Sequence, residues 1–122
     1  MTYKSNKVIA SIEARMGSSR LPGKVLADVC GQPALNRLLN RLRKCKTIDD
    51  IILATSNSPD DNQLEEWAIS NDLAYYRGSE NDVLNRVVEA HKLMDSDVVV
   101  EITGDCPLLD PEIIDMGIET FL

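Results

Sequence analysis

Short apolar runs alternate with amphipathic stretches along the chain. The runs at Lys7–Ala14, Asp50–Thr55, Leu73–Arg77 and Asp97–Thr103 are bounded by polar and turn residues, and each predicts a β-strand. Asp50–Thr55 is a nearly continuous apolar run, which is typical of a strand that is buried on both faces of a sheet. The pattern therefore predicts four strands.

The stretches that follow these runs carry apolar residues at helical spacing. In the first of them, four leucines between positions 35 and 42 recur at i, i+3, i+4 and i+7, so they form one stripe along a helix. Proline is favoured at the first position of a helix, and Asp and Ser are favoured as caps. The four predicted helices begin at Pro33, at Ser58–Asp60, at Asn81 or Asp82, and at Asp110–Pro111.

The order of these elements is β-α-β-α-β-α-β-α, which predicts one α/β domain with a parallel, doubly wound sheet. Ligands of such sheets bind beyond the carboxyl ends of the strands. Three loops leave predicted strand ends with suitable chemistry, at 15–24, 77–82 and 104–110. We therefore expect a binding site at this edge of the sheet.

Charge is distributed unevenly over the 122 residues, whose formal net charge is −7. Residues 1–50 carry ten Lys or Arg and four Asp or Glu, whereas the remainder carries three basic and sixteen acidic residues. An acidic protein is a poor candidate for binding nucleic acid, because neutralisation of phosphates dominates that affinity. A cationic first part followed by an acidic remainder suits a small polyphosphate with a metal ion, although solvated helix faces explain the charges equally well.

Composition excludes several other classes of protein. No apolar run approaches the roughly 20 residues of a membrane span, and the first seven residues do not look like a signal peptide. Three cysteines at wide spacings (Cys30, Cys45, Cys106) are neither a disulfide framework nor a zinc ribbon. We therefore expect a cytoplasmic protein that does not bind a membrane.

The loop at 15–24 concentrates chemistry suited to phosphate. It holds three cations and two glycines, and glycines let backbone N–H groups approach an anion closely. It is not a dinucleotide fingerprint, because G-x-G-x-x-G is absent. It is not a Walker A loop, because five residues separate Gly17 from Gly23 and Val25 stands where Ser or Thr should be. The alternative is a solvent-exposed loop with unrelated cations.

Three ordered segments resemble one protein family. They are IEARMGSSRLPGKVL at 12–26, RGSENDVLNRV at 77–87 and ITGDCPLLDP at 102–111. Together they closely resemble the cytidylyltransferases that activate acidic sugars, which include CMP-acylneuraminate and CMP-Kdo synthetases, and the spore-coat polysaccharide branch resembles them most. The resemblance implies a nucleotide-diphospho-sugar transferase fold, a Rossmann-like α/β/α sandwich with a mainly parallel sheet.

The resemblance also implies roles for individual residues. The cations implied in catalysis are Arg15, Arg20 and Lys24. The residues implied in nucleotide binding are Ala14, Arg15, Gly17, Ser18, Arg20, Lys24, Arg77, Gly78, Asp82 and Thr103. Asp105 is implied as the ligand of Mg²⁺, for which its carboxylate is a suitable hard oxygen donor, although it could instead bond loop amides only.

The implied reaction transfers CMP from CTP to a hydroxyl of an acidic sugar and releases pyrophosphate, with Mg²⁺ as cofactor. Family members are roughly twice as long as this chain and usually form homodimers. We therefore expect residues 1–122 to be the nucleotide-binding N-terminal part of a nucleotidyltransferase domain. Two alternatives stay open: a sugar nucleotidyltransferase with another base or acceptor, and a nucleotide-binding module without turnover.

Two acidic residues depart from the family pattern. Glu13 lies where similar proteins commonly carry Gln or Pro, and Glu101 lies where they commonly carry Arg. A buried carboxylate needs a partner, and the sequence offers Arg15, Arg20 or Arg86 without choosing among them.

Other candidate residues have structural interpretations. We expect His91, the only histidine, to be structural, and the thiol of Cys106 is too soft a ligand for Mg²⁺. Asp110 is favoured as a helix cap over a metal ligand. Asn85 and Arg86 lie either on a polar helix face or in contact with substrate.

Overall fold

The structure is a computed structural model that describes residues 6–17, 24–29, 31–104 and 109–122. Its strands are β1 Val8–Glu13, β2 Asp28–Val29, β3 Gln32–Pro33, β4 Asp50–Ser56, β5 Ala74–Gly78 and β6 Val98–Thr103. Its α-helices are α1 Ala34–Arg43, α2 Asn62–Ser70, α3 Val83–Met94 and α4 Pro111–Phe121. Short 3₁₀ turns occupy Lys24–Leu26 and Pro59–Asp61.

The four longer strands form one parallel sheet in the order β5-β4-β1-β6. The first strand of the chain therefore lies between β4 and β6, and all four strands end at the same edge. Residues 51–56 of β4 are buried, as the continuous apolar run predicted. The predicted parallel α/β fold is confirmed.

Helices cover both faces of this sheet. On one face, Ile12 of β1 and Leu53 of β4 belong to a core cluster that includes the leucine stripe of α1. On the opposite face, Ile9 and Ile52 pack with Val87 of α3. The side chains of successive strand residues point to opposite faces, so β1 and β4 supply both clusters. This arrangement is the predicted Rossmann-like sandwich.

The helices begin within four residues of the predicted positions. Ser58 caps the 3₁₀ turn that leads into α2, Asp82 caps α3 by accepting from the N–H of Asn85, and Asp110 caps α4 by accepting from the N–H of Glu112. Asp110 therefore acts as a helix cap, which is the favoured of its two interpretations.

The hairpin of β2 and β3 was not predicted. Its strands pair Asp28 with Pro33 and Val29 with Gln32, and two residues per strand are too few to show a period of two. Gly31 in its loop has φ +90°, a left-handed conformation that favours glycine. This hairpin leads directly into α1.

The polar helix face suggested for Arg86 was wrong. Arg86 is fully buried and His91 is 6% exposed. Leu84 and Val88 on the same helix are exposed instead. The Nδ1 atom of His91 lies 2.7 Å from the Ser96 hydroxyl, which suits the structural role expected for it.

Among the described residues, no helix is long and apolar enough to cross a membrane.

Candidate functional site

The candidate site is the edge of the sheet at which β1, β4, β5 and β6 end. The described chain leaves this edge at residues 14–17, 57–61 and 79–82, and again at Gly104. These exits carry the predicted residues Ala14, Arg15, Gly17 and Asp82. The fold therefore brings together segments that are far apart in sequence.

The exits of β1 and β6 lie in direct contact. The N–H of Gly104 donates to the carbonyl oxygen of Glu13 at 2.8 Å, and Thr103 pairs with Glu13 in the sheet. A Cβ atom at position 104 would lie 2.9 Å from the Cβ of Ala14 and 3.2 Å from the Glu13 oxygen. Only glycine fits there without movement, so Gly104 itself lies directly beside Ala14.

A buried carboxylate holds the exit of β1. The N–H of Met16 donates to Asp61 Oδ1 at 2.7 Å, and the Ser56 hydroxyl donates to Asp61 Oδ2. Asp61 is 2% exposed and Ser56 is fully buried. The sequence analysis missed Asp61, because two adjacent aspartates at a helix start look alike and carboxylates are common there.

A buried arginine holds the exit of β5. Arg86 Nη1 donates to the carbonyl oxygens of Ser79 at 2.9 Å and Glu80 at 3.3 Å, and its Nη2 donates to Glu13 Oε1 at 2.5 Å. Of the three arginines considered as partners of Glu13, the structure therefore pairs Arg86 with it. Arg15 joins the same loop, since its Nη1 donates to the Glu80 carbonyl oxygen at 3.2 Å.

Arg77 lies at this edge with its side chain bound to neighbouring chain segments. Its guanidinium donates to the carbonyl oxygens of Ser56 and Ser58 at 2.9 and 2.7 Å, and to Asn62 Oδ1 at 2.8 Å. Glu65 lies 3.5 Å away as a counter-charge. The structure thus gives Arg77 contacts that join β4, β5 and α2, and its contact with a nucleotide stays a prediction.

Gly78 and Asp82 shape the loop between them. A Cβ atom at Gly78 would lie 2.7 Å from the Tyr76 ring and 3.3 Å from Cγ of Arg86. The N–H of Asp82 donates to the Ser79 hydroxyl at 3.1 Å while its carboxylate caps α3. Both residues therefore fix the backbone of this loop, whatever else they bind.

Several predicted site residues fall outside the described part of the chain. These are Ser18, Arg20 and Asp105, and the structure describes the backbone of Lys24 but not its side chain. Among the described residues, no group of three or more His, Cys, Asp or Glu side chains could hold a metal ion. The Mg²⁺ site at Asp105 stays a prediction.

Groups that lie away from this edge have shifted pKa values. Burial, together with the charge of Asp115, raises the pKa of the Cys45 thiol to about 11. Burial lowers the pKa of His91, although Glu101 opposes the shift. Burial acts to raise the pKa of Asp115, but hydrogen bonds from the Thr47 hydroxyl and from backbone N–H groups hold it below its usual value.

Comparison with known proteins gives one consistent result. Residues 9–122 match the model of the cytidylyltransferase family. The chain is 38% identical over 118 residues to the spore coat polysaccharide biosynthesis protein SpsF of Bacillus subtilis, covering 93% of this chain and 49% of SpsF. It is 31% identical over 118 residues to 3-deoxy-manno-octulosonate cytidylyltransferase of Trichlorobacter lovleyi, covering 95% of this chain and 45% of that enzyme.

A solved structure agrees with these relatives. The cytidylyltransferase of Leptospira borgpetersenii superposes with a TM-score of 0.90 at 38% identity, covering 96% of this chain and 49% of that one. The chain spans about half the length of the relatives it matches. The similarity extends over nearly the whole of this chain.

Proposed function

Because the chain belongs to the cytidylyltransferase family, we propose that it binds CTP at the carboxyl edge of its sheet. In the proposed reaction, CMP is transferred from CTP to a hydroxyl of an acidic sugar and pyrophosphate is released. The name of one relative supports an acidic acceptor, since 3-deoxy-manno-octulosonate carries a carboxylate. The name of another supports a role in polysaccharide biosynthesis.

The contact between Gly104 and Ala14 carries this proposal. Asp105 follows Gly104, and the cationic loop begins at Arg15, so a carboxylate and a set of cations leave two adjacent strands at one edge. A triphosphate with a divalent cation requires both kinds of group. The parallel sheet also offers its ligand site at this edge, beside the first strand.

The proposed chemistry depends mainly on positioning and on neutralisation of charge. The sugar oxygen attacks the α-phosphorus in line with the leaving pyrophosphate. Arg15, Arg20 and Lys24 would offset the negative charge of the phosphates and of the leaving group. Each cation acts most strongly where water is excluded.

The proposed metal ligand has suitable chemistry for Mg²⁺. This ion takes hard oxygen ligands and commonly binds only one or two carboxylates, with water and phosphate oxygens completing its shell. Asp105 would hold it, and the bound ion would supply a Lewis acid that polarises the α-phosphate. We further propose that the protein acts in the cytoplasm as a homodimer, as the resemblance implies.

Thermal denaturation with four nucleotides tests the proposal. In the presence of Mg²⁺, CTP should raise the melting temperature of the chain more than UTP, ATP or dTTP. A ligand present at 100 times its Kd stabilises a protein by about 2.7 kcal/mol. Asp105→Ala should abolish the dependence of this shift on Mg²⁺.

Each alternative predicts a different pattern in the same experiment. A larger shift with UTP, ATP or dTTP than with CTP would favour a nucleotidyltransferase that uses another base. No shift with any nucleotide would contradict the proposal. A CTP-selective shift that Asp105→Ala leaves unchanged would remove Asp105 from the metal site. Pyrophosphate release from CTP with an acidic sugar then separates an enzyme from a binding module.

A further inference from the structure

Asp61 is a buried carboxylate that none of the sequence motifs includes. It lies in the 3₁₀ turn between β4 and α2, and 2% of its surface is exposed. Its two oxygens accept from the Met16 N–H and from the Ser56 hydroxyl. Burial of a carboxylate costs free energy unless the group is hydrogen-bonded, and Asp61 does not use its side chain to cap α2.

The contact with Met16 reaches into the proposed phosphate loop. Met16 stands between Arg15 and Gly17. Two residues earlier, the N–H of Ala14 donates to the carbonyl oxygen of Ala54 in β4. The Asp61–Met16 hydrogen bond spans 45 residues of sequence. It is therefore a tertiary contact that fixes the backbone at the start of the loop.

A second group locks the carboxylate itself. The Ser56 hydroxyl donates to Asp61 and accepts from the N–H of Ser58 at 3.2 Å. Ser56 is the last residue of β4 and is fully buried. The chain from β4 to α2 thereby forms a fixed support that holds the backbone at Met16.

We propose that Asp61 is a positioning residue for triphosphate binding, which it serves by holding the Met16 N–H and thereby the backbone between Arg15 and Gly17. The inference builds on the proposed function, because the ligand it serves is the triphosphate of CTP. Asp61 does not touch that ligand. It orients the groups that do.

The direction in which a substitution changes the Kd distinguishes a positioning role from simple proximity of the charge to the ligand. A carboxylate near a triphosphate repels it, so removal of the charge alone should strengthen binding. Removal of a positioning group should weaken binding, because the loop must then be ordered when the ligand binds. The two explanations predict opposite changes in Kd.

The experiment compares Asp61→Ala with Asp60→Ala by calorimetric titration with inorganic triphosphate and with CTP in the presence of Mg²⁺. Both variants lose one negative charge from the same 3₁₀ turn, but Asp60 is exposed, and the Met16 N–H donates to Asp61 instead. Asp61→Ala should raise both Kd values about tenfold. This is the lower end of the loss of metal affinity, about 10- to 100-fold, that follows when a residue that orients a metal ligand is removed. Asp60→Ala should leave them unchanged or lower them.

Amide hydrogen exchange at Met16 tests the geometry without a ligand. Its N–H should exchange at least tenfold faster in Asp61→Ala, whereas Asp60→Ala should leave its exchange rate unchanged. Asp61→Asn retains an oxygen acceptor without the charge, so it should preserve most of the protection and most of the affinity. Should Asp61→Ala unfold, Asp61→Asn still separates the two explanations, because tighter binding than wild type would indicate repulsion by the Asp61 charge and would overturn the inference.

The outcomes separate this inference from the proposed function. Unchanged or tighter triphosphate binding by Asp61→Ala overturns the inference and leaves CTP binding intact. Unchanged exchange at Met16 overturns it as well. A wild-type chain that binds neither CTP nor inorganic triphosphate overturns the proposed function, and the inference falls with it.

Discussion

The chain leaves β1 and β5 at the same edge of the sheet, but buried groups of opposite charge hold the two exits. After β1, the carboxylate of Asp61 accepts from the N–H of Met16. After β5, the guanidinium of Arg86 donates to the carbonyl oxygens of Ser79 and Glu80. Backbone polar groups that leave a sheet need new hydrogen-bond partners, and here buried charged side chains provide some of them.

The two solutions differ in what they require. Arg86 is fully buried and needs a counter-charge, which Glu13 supplies. The partners described for Asp61 are a hydroxyl and a backbone N–H, both of them neutral. We therefore expect the exit of β5 to matter most for stability, and the exit of β1 to matter most for binding.

The largest loss of stability is expected for Arg86→Met. This change leaves Glu13 without its cation and removes one donor from the carbonyl oxygens of Ser79 and Glu80, and breaking a buried ion pair costs about 3–5 kcal/mol. Urea denaturation followed by the fluorescence of Trp67, the only tryptophan, measures it. Lys92→Met is the control on the exposed side of α3 and should change stability by less than about 0.5 kcal/mol. Equal stability of the two variants would contradict the comparison.

Substitutions of Gly104, which follows β6 and packs against the exit of β1, and of Gly78, the last residue of β5, should come next. Gly104→Ala should cost about 1–3 kcal/mol, because its Cβ would press on Ala14 and on the backbone of Glu13. Gly78→Ala should cost less, because the Tyr76 ring and the flexible side chain of Arg86 can shift. Thermal or urea unfolding provides the ranking.

Gly117→Ala is the matched control for these two variants. Gly117 lies inside α4 with no atom within 4 Å of the added Cβ, so alanine should stabilise the helix by about 1 kcal/mol. We therefore expect the free energy of unfolding to fall in the first two variants and to rise in Gly117→Ala. A gain at Gly104 would show that the exits of β1 and β6 are less tightly packed than the structure indicates.

Glu13→Gln sharpens the comparison with a smaller effect. Glutamine keeps an oxygen that can accept from Arg86 but lacks the charge, so the cost should be about 1 kcal/mol. Glu13→Ala should cost more, since no acceptor is left for Arg86 Nη2. Glu66→Gln, on the exposed surface of α2, controls for the lost charge. Equal unfolding free energies for the Gln and Ala variants at position 13 would contradict a specific hydrogen bond.

The smallest effect on stability is expected from a change in pH. The group that titrates is His91, which lies away from both exits. Burial lowers the pKa of His91 in the folded chain, so below the usual value of 6.5 the unfolded chain binds more protons. The free energy of unfolding should therefore fall as the pH drops from about 7 through 6.5 towards the lower pKa of the folded state. His91→Gln should remove this slope. A slope that survives in the variant would assign it to another group.

The sequence predicted most of the fold. The leucine stripe of α1, the apolar run of β4 and the caps at Ser58, Asp82 and Asp110 are local signals, and each reports on residues within about one or two turns. The hairpin of β2 and β3 gave no such signal, because its strands are two residues long. The resemblance of three ordered motifs added the family, which the comparisons confirm.

The tertiary structure decided which charges meet. Glu13 and Arg86 are 73 residues apart, and Met16 and Asp61 are 45 residues apart. The sequence left Arg86 either on a polar helix face or in contact with substrate. The fold buries it, because the loop after β5 and the end of β1 present it with three acceptor atoms. Local propensity depends on neighbours in sequence, whereas the partner of a buried charge depends on which strand ends the topology brings together.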